Sequence, residues 1–234
     1  MTTDPPRFEF RIFGAECLAL GARVQHQAEL GEAQLESEDE DQDVYILAPS
    51  ALDQNCKIRD GHLEVKSLLA YKAGLEQWQP TLDIAFPVPA DWLGDELFLT
   101  LQAEKPSFER VRYTPHQLLQ EIVAPHPLLQ AVSVYKQRHH YRWNECQVEL
   151  GEIRITHGDE ALQSLQIPAS KEAISAADLN ELTRNKEESF LLTVALEAES
   201  AAAVQGIREL LGLRDHTNVN YVQLLERFTI DKAQ

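Results

Sequence analysis

Tyr135-Lys136-Gln137-Arg138-His139-His140-Tyr141-Arg142 sets four basic side chains on alternate positions of one short stretch. On a strand, residues i and i+2 share a face. Lys136, Arg138, His140 and Arg142 therefore point one way, and Tyr135, Gln137, His139 and Tyr141 the other. Lys57-Ile58-Arg59 repeats the pattern on a second strand-like stretch. The chain around them is acidic, with 38 Asp and Glu against 21 Lys and Arg in 234 residues and a net charge of −17. A chain that gathers scarce cations on strand faces reads as one that encloses an anion.

Working outward, Arg7 to Phe13 alternates strictly, with Phe8, Phe10 and Ile12 on one face and Arg7, Glu9 and Arg11 on the other. Gly14 ends that strand, and Ala15 to Gln27 reads as a short helix. Leu35 to Asp43 (LESEDEDQD) reads as an acidic, solvated loop; it lacks the glycine and spacing of an EF-hand. Val44–Ala48, Cys56–Arg59 and Leu63–Ser67 read as strands, with Asp60-Gly61 as a two-residue hairpin turn. Tyr71 to Phe86 has no clear period, and Leu97 to Leu101 (LFLTL) reads as a strand inside an irregular insertion around residues 70–130. Thr114-Pro115 is an N-cap followed by a first-turn proline, opening a helix to about Val123.

Val132–Tyr141 and Gln147–Thr156 form a second strand pair. A helix is expected over Ser170 to Asn185, then a strand from Phe190 to Glu199 with Thr193, Ala195, Glu197 and Glu199 on one face. Ser200 starts a helix that Gly212 ends. Asn220 starts the last helix, whose Tyr221, Leu224, Leu225 and Phe228 form an apolar stripe. Hairpins with irregularly placed helices predict an α+β fold on an antiparallel sheet or barrel. If the sheet closes, the charged faces line its interior and helices cover the outside.

The acidic balance argues against binding nucleic-acid backbone or an anionic membrane surface. No stretch approaches the ~20 apolar residues of a bilayer span, and the N-terminal residues do not form a signal peptide. Cys17, Cys56 and Cys146 suit neither a disulfide framework nor a zinc site, so reduced thiols in a cytoplasmic protein are expected. Walker A, G-x-G-x-x-G and G-x-S-x-G motifs do not occur. His139 and His140 fall on opposite faces of a strand and cannot chelate one ion together.

The order of segments resembles the CYTH family, the triphosphate tunnel metalloenzymes. The resemblance rests on the charged first strand, Asp43-Val44-Tyr45, Lys57-Ile58-Arg59 with Gly61 and Lys66, and Lys136-Gln137-Arg138. Near the end it adds TVALEAES, an alanine-rich helix and Asn220-Tyr221-Val222-Gln223-Leu224-Leu225. It implies an eight-stranded antiparallel barrel whose charged lumen takes a triphosphate-containing or polyphosphate anion with Mg or Mn. Arg11, Lys57, Arg59, Lys66, Lys136, Arg138 and Arg142 would hold phosphate oxygens. Glu9 and Glu197 would serve catalysis, and Glu9, Glu197 and Glu199 the metal.

The sequence also departs from the family. Its E-x-E-x-K strand becomes Arg7, Glu9 and Arg11, Gly151 replaces an aspartate, and Ala195 replaces a glutamate. Two functions therefore compete: a metal-dependent triphosphatase, and a tunnel domain that binds or senses a phosphorylated metabolite without turnover. Alternation alone also allows cross-strand ion pairs on a solvent-facing sheet; the ordered resemblance favours a lumen.

Overall fold

The computed structural model describes residues 5–157 and 188–230. The barrel strands are β1 (Arg7–Phe13), β2 (Ala33–Leu47), β3 (Gln54–Arg59), β4 (His62–Lys72), β5 (Leu75–Ala85), β8 (Gln130–Trp143), β9 (Cys146–His157) and β10 (Glu188–Ala198). They close in the order β1-β10-β9-β8-β2-β3-β4-β5, and every neighbouring pair is antiparallel. β6 (Val88–Pro89) and β7 (Arg112–Tyr113) form a separate two-stranded ribbon. The expected α+β barrel is present. The helix expected over Ser170 to Asn185 lies outside the described residues.

Turn chemistry fixes two of the hairpins. Asp60 and Gly61 take φ of 48° and 75°, the left-handed pair that a tight hairpin turn requires. Ala73 and Gly74 do the same at 52° and 76° between β4 and β5. Residues 71–86 therefore belong mostly to the barrel, and the irregular insertion starts after Ala85 rather than at 70.

Two sequence expectations fail, each for a physical reason. The acidic stretch Leu35 to Asp43 is no loop: it lies within β2, which pairs with β8 from Ala33↔Trp143 to Leu47↔Gln130. Asp and Glu are poor strand formers alone, but here Asp39 faces Arg138, Asp41 faces Lys136 and Glu38 faces His139 across the ladder. Opposite charge across strands outweighs intrinsic propensity. Leu97 to Leu101 is not a strand. It continues α2 (Ala90–Trp92) through a π-type turn (Leu93–Leu97) into α3 (Phe98–Thr100). Leu93, Leu97, Phe98 and Leu101 are buried while Leu99 is 75 % exposed, which is helical spacing and not alternation.

Helices cover the outer faces. α1 (Glu16–Glu29) and α5 (Ala201–Leu210) bury Cys17, Leu20, Val24, Val204 and Ile207 against the even-numbered residues of β1, β9 and β10. The insertion, including α4 (Pro115–Gln117) with its Thr114–Gln117 capping box and the following turn Leu118–Val123, packs on Val44, Ile46, Ile58, Leu63 and Val65. Cys17, Cys56 and Cys146 are free and buried. No helix among the described residues is long and apolar enough to cross a membrane.

The last helix, α6 (Tyr221–Ile230), goes elsewhere. Tyr221, Val222, Leu224 and Leu225 cluster with Tyr45, Leu47, Val132, Val134, Ile153 and Ile155. By alternation these strand residues share the face of Lys136 and Asp43, so α6 fills one end of the barrel interior. β1 pairs with β5 only over Arg7–Glu9. Beyond that, the segment leading to α6 takes over β1's free edge: the Arg11 backbone N–H donates to Asn218 Oδ1 (2.7 Å) and the Val219 N–H to the Arg11 carbonyl (2.9 Å).

Candidate functional site: a charged lumen

The other end of the interior holds a cavity of about 180 Å³. That is far more than the ~10–15 Å³ that accommodates one water. Six cations line it: Arg11 from β1, Lys57 and Arg59 from β3, Lys66 from β4, and Lys136 and Arg138 from β8. Glu9, Glu149 and Glu197 are the carboxylates in the same wall, and Asp39, Asp41, Asp43 and Glu64 pair with the same cations without lining it. Asn55, Tyr45, His140, Gln147, Ala195 and Tyr221 complete the lining. The period-2 pattern read from the sequence thus brings Arg11, Lys57, Arg59, Lys136 and Arg138 to one interior.

Two expected site residues lie elsewhere. Arg142 is on the lumen-facing register of β8 but exposed, and its Nε and Nη2 donate to Glu36 at 3.0 and 3.1 Å. Glu199 follows the last residue of β10, is exposed and does not line the cavity. Glu9 and Glu197 do meet, as register partners across β1 and β10. Each is already engaged, Glu9 with Lys66 (3.2 Å) and Glu197 with Arg7 (3.1 Å).

The sequence reading missed most of the counter-charge. Asp43, fully buried, sits at the centre of the network. Arg59 Nε donates to its Oδ1 at 2.5 Å and Nη2 to its Oδ2 at 2.6 Å, while Lys136 Nζ donates to Oδ2 at 2.5 Å. Lys57 Nζ stands 3.9 Å from Asp43 and 3.2 Å from Glu64. Arg138 bonds Asp39 at 2.7 Å and also Asp41. Arg11 Nη1 donates to Glu149 at 2.6 Å. The acidic strand β2 is therefore the electrostatic complement of β8. Alternation over Gln147-Val148-Glu149 was the available signal for Glu149, which faces His140 across the hairpin.

Protonation follows from this geometry. Burial opposes ionisation of Asp43, but Lys136, Lys57 and Arg59 overcome it and hold the carboxyl well below its usual range. Burial likewise opposes Glu149, yet Arg11 and Arg138 bring it down to about 2. Lys136 is pushed down to about 7 by burial, with Lys57 and Arg59 adding to the effect against the pull of Asp43. Glu9 raises Lys66, outweighing its burial.

Gly151 is closely confined by its neighbours. A Cβ there would stand 2.8 Å from Thr193 Cγ2 and 3.7 Å from Arg138 Cγ, so an acidic side chain needs a shift of its neighbours. Ala195 lies opposite Arg11 in the ladder and leaves room beside it. Among the described residues, no group of three or more His, Cys, Asp or Glu is arranged to hold a metal ion. Glu9 and Glu197 supply hard oxygen donors from adjacent strands. Mg²⁺ commonly rests on one or two carboxylates plus other oxygens, which is the donor chemistry this pair offers, although each is now paired with a cation.

No protein-family model matches the sequence, and no curated protein matches it. Among solved structures, a conserved hypothetical protein from Pyrococcus furiosus is similar at 14 % identity with a TM-score of 0.46, covering 94 % of this chain and 99 % of its own. The PH1012 and PH1819 proteins of Pyrococcus horikoshii OT3 are similar at 16 % and 12 % identity, each with a TM-score of 0.44; both cover 94 % of this chain, and 99 % and 98 % of their own. Likenesses this remote carry no information about the chemistry of the lumen.

Proposed function

We propose that the lumen binds a small phosphate-rich anion of the triphosphate or polyphosphate class. The observation that carries this is the convergence of six cations from four strands on one cavity inside an acidic protein. The resemblance to the triphosphate tunnel family, read from the motifs, points the same way. Three of the six cations are arginines, whose planar fork can hold two oxygens of one phosphate. Arg11 and Arg138 share Glu149 as a partner and are largely desolvated, while Lys66 pairs with Glu9 and keeps partial contact with water. An incoming polyanion competes with those carboxylates and offers several oxyanions at once, which a chloride or a lone carboxylate does not.

Hydrolysis is a second reading, favoured by the juxtaposition of Glu9 and Glu197. Those two residues would hold Mg or Mn, and the ion would neutralise charge on the phosphoryl oxygens. The protein's own part is positioning and electrostatic stabilisation, which together carry most of the catalysis of phosphoryl transfer. Without turnover, the same lumen acts as a binding or sensing module.

Thermal denaturation with tripolyphosphate tests binding. At a tenfold excess over the dissociation constant, the ligand stabilises the fold by about 1.4 kcal/mol. Lys66→Met, which removes a cation whose partner Glu9 keeps access to solvent, reduces that shift; no shift with any phosphate compound overturns the reading. Phosphate release with Mg²⁺ that is equal in wild type and a Glu9→Gln, Glu197→Gln double variant rules out turnover at this site.

A further inference from the structure

Tyr221 is the first residue of α6, the helix that fills the apolar end of the barrel, and it is the residue of that helix that reaches the polar cavity. Its ring is held on several sides. Arg11 Cζ and Lys136 Nζ lie 4.7 and 4.0 Å from the ring centroid, Tyr45 stacks at 5.5 Å and Phe13 meets it edge-on at 5.3 Å. The residue is 6 % exposed, yet its hydroxyl has no hydrogen-bond partner among the described residues. A buried, partnerless hydroxyl is costly to keep, and phenylalanine would fill the same space without that cost. The neighbouring Tyr45 hydroxyl, by contrast, both accepts from Lys136 and reaches Asp43.

We infer that the Tyr221 hydroxyl is a ligand-binding group that donates to the terminal oxyanion of an anion entering from the opposite mouth and stopping end-on against α6. The inference rests on the phosphate-lumen reading and narrows it. The site takes an anion with a free chain end, seated between Arg11 and Lys136, and not a polymer threaded through the barrel. Among the described residues, Leu47, Val132, Val134, Ile153 and Ile155 pack an apolar layer around α6 beyond Tyr221. The hydroxyl selects for a terminus because one donor at the α6 end of the cavity meets the end of a chain and not its middle.

Tyr221→Phe keeps the ring and its cation contacts while deleting the hydroxyl. Calorimetric titration compares linear tripolyphosphate with cyclic trimetaphosphate, which has no chain end. The expected result is a loss of about tenfold in tripolyphosphate affinity, as for one hydrogen bond to a charged group. Trimetaphosphate affinity should stay within about twofold and the melting temperature should be equal or higher. Unchanged tripolyphosphate affinity overturns the role of the hydroxyl while leaving the phosphate lumen intact. Equal losses for both ligands overturn end-on recognition. Wild-type protein that binds neither compound overturns the phosphate-lumen reading, and this inference falls with it.

Discussion

The two ends of the barrel interior solve the same packing problem with opposite materials. An eight-stranded barrel has an interior just wide enough to be filled by side chains. At one end, α6 supplies Val222, Leu224 and Leu225 to Leu47, Val132, Val134 and Ile155, and the filling is hydrocarbon. At the other, the same strands turn to Asp43, Lys136, Arg138 and Glu149, and the filling is ion pairs around a cavity. The change occurs within two residues on each strand: Val134 to Lys136 on β8, Tyr45 to Asp43 on β2. Apolar filling is stable with any well-shaped neighbour. A charge taken from water is tolerable only with a specific partner, so the polar end demands a full set of counter-charges and remains available to a ligand that can supply better ones.

That contrast can be broken experimentally, beginning with the polar end. Asp43→Ala leaves Arg59 and Lys136 buried without their carboxylate and should cost about 4 kcal/mol of unfolding free energy in urea. A loss below about 1 kcal/mol would mean that those cations reach water and the network is not what fills this end. Acid should act on the same half. Because Glu149 is depressed in the folded state, its stabilisation is complete above the ordinary carboxylate range. It is lost as pH falls from about 4.5 to about 2, amounting to about 3 kcal/mol across that window. A melting-temperature profile of Glu149→Gln should lack that part of the acid slope; an unchanged slope would assign acid sensitivity elsewhere.

Leu225→Ala probes the apolar end. Leu225 is fully buried, and its truncation should cost about 2.5 kcal/mol, toward the low side for such changes because a terminal helix can settle into the space. Anion binding should survive it, which separates the two ends functionally. The smallest effect belongs to the mouth. Arg142→Ala removes an exposed pair with Glu36 and should change stability by less than about 0.5 kcal/mol in the same urea assay.

The cation-bearing strands were legible because alternation is a local property, and Lys57, Arg59, Lys136 and Arg138 declare their face without knowing their neighbours. Arg11 followed from the same rule, whereas Lys66 came only from the family resemblance. The acidic strand was not legible, since its identity depends on β8, about ninety residues away, whose cations reverse the poor strand propensity of Asp39, Asp41 and Asp43. Local pattern also misassigned Leu97–Leu101, where a five-residue apolar run fits either period until Leu99 is seen in solvent. Glu199 illustrates a further limit. It has the right parity, but the strand ends at Ala198, and element boundaries are set by pairing that the sequence does not state.

The seam of the barrel has a consequence for biosynthesis. β1 finds its long partner in β10 and its remaining edge in Asn218 and Val219, about two hundred residues downstream. Contacts so distant along the chain are slow to form, and an unpaired strand edge invites association with other chains. A ribosome-bound chain therefore carries an open edge on β1 until β10 and the segment around Asn218 have been made, and the ring can shut only then.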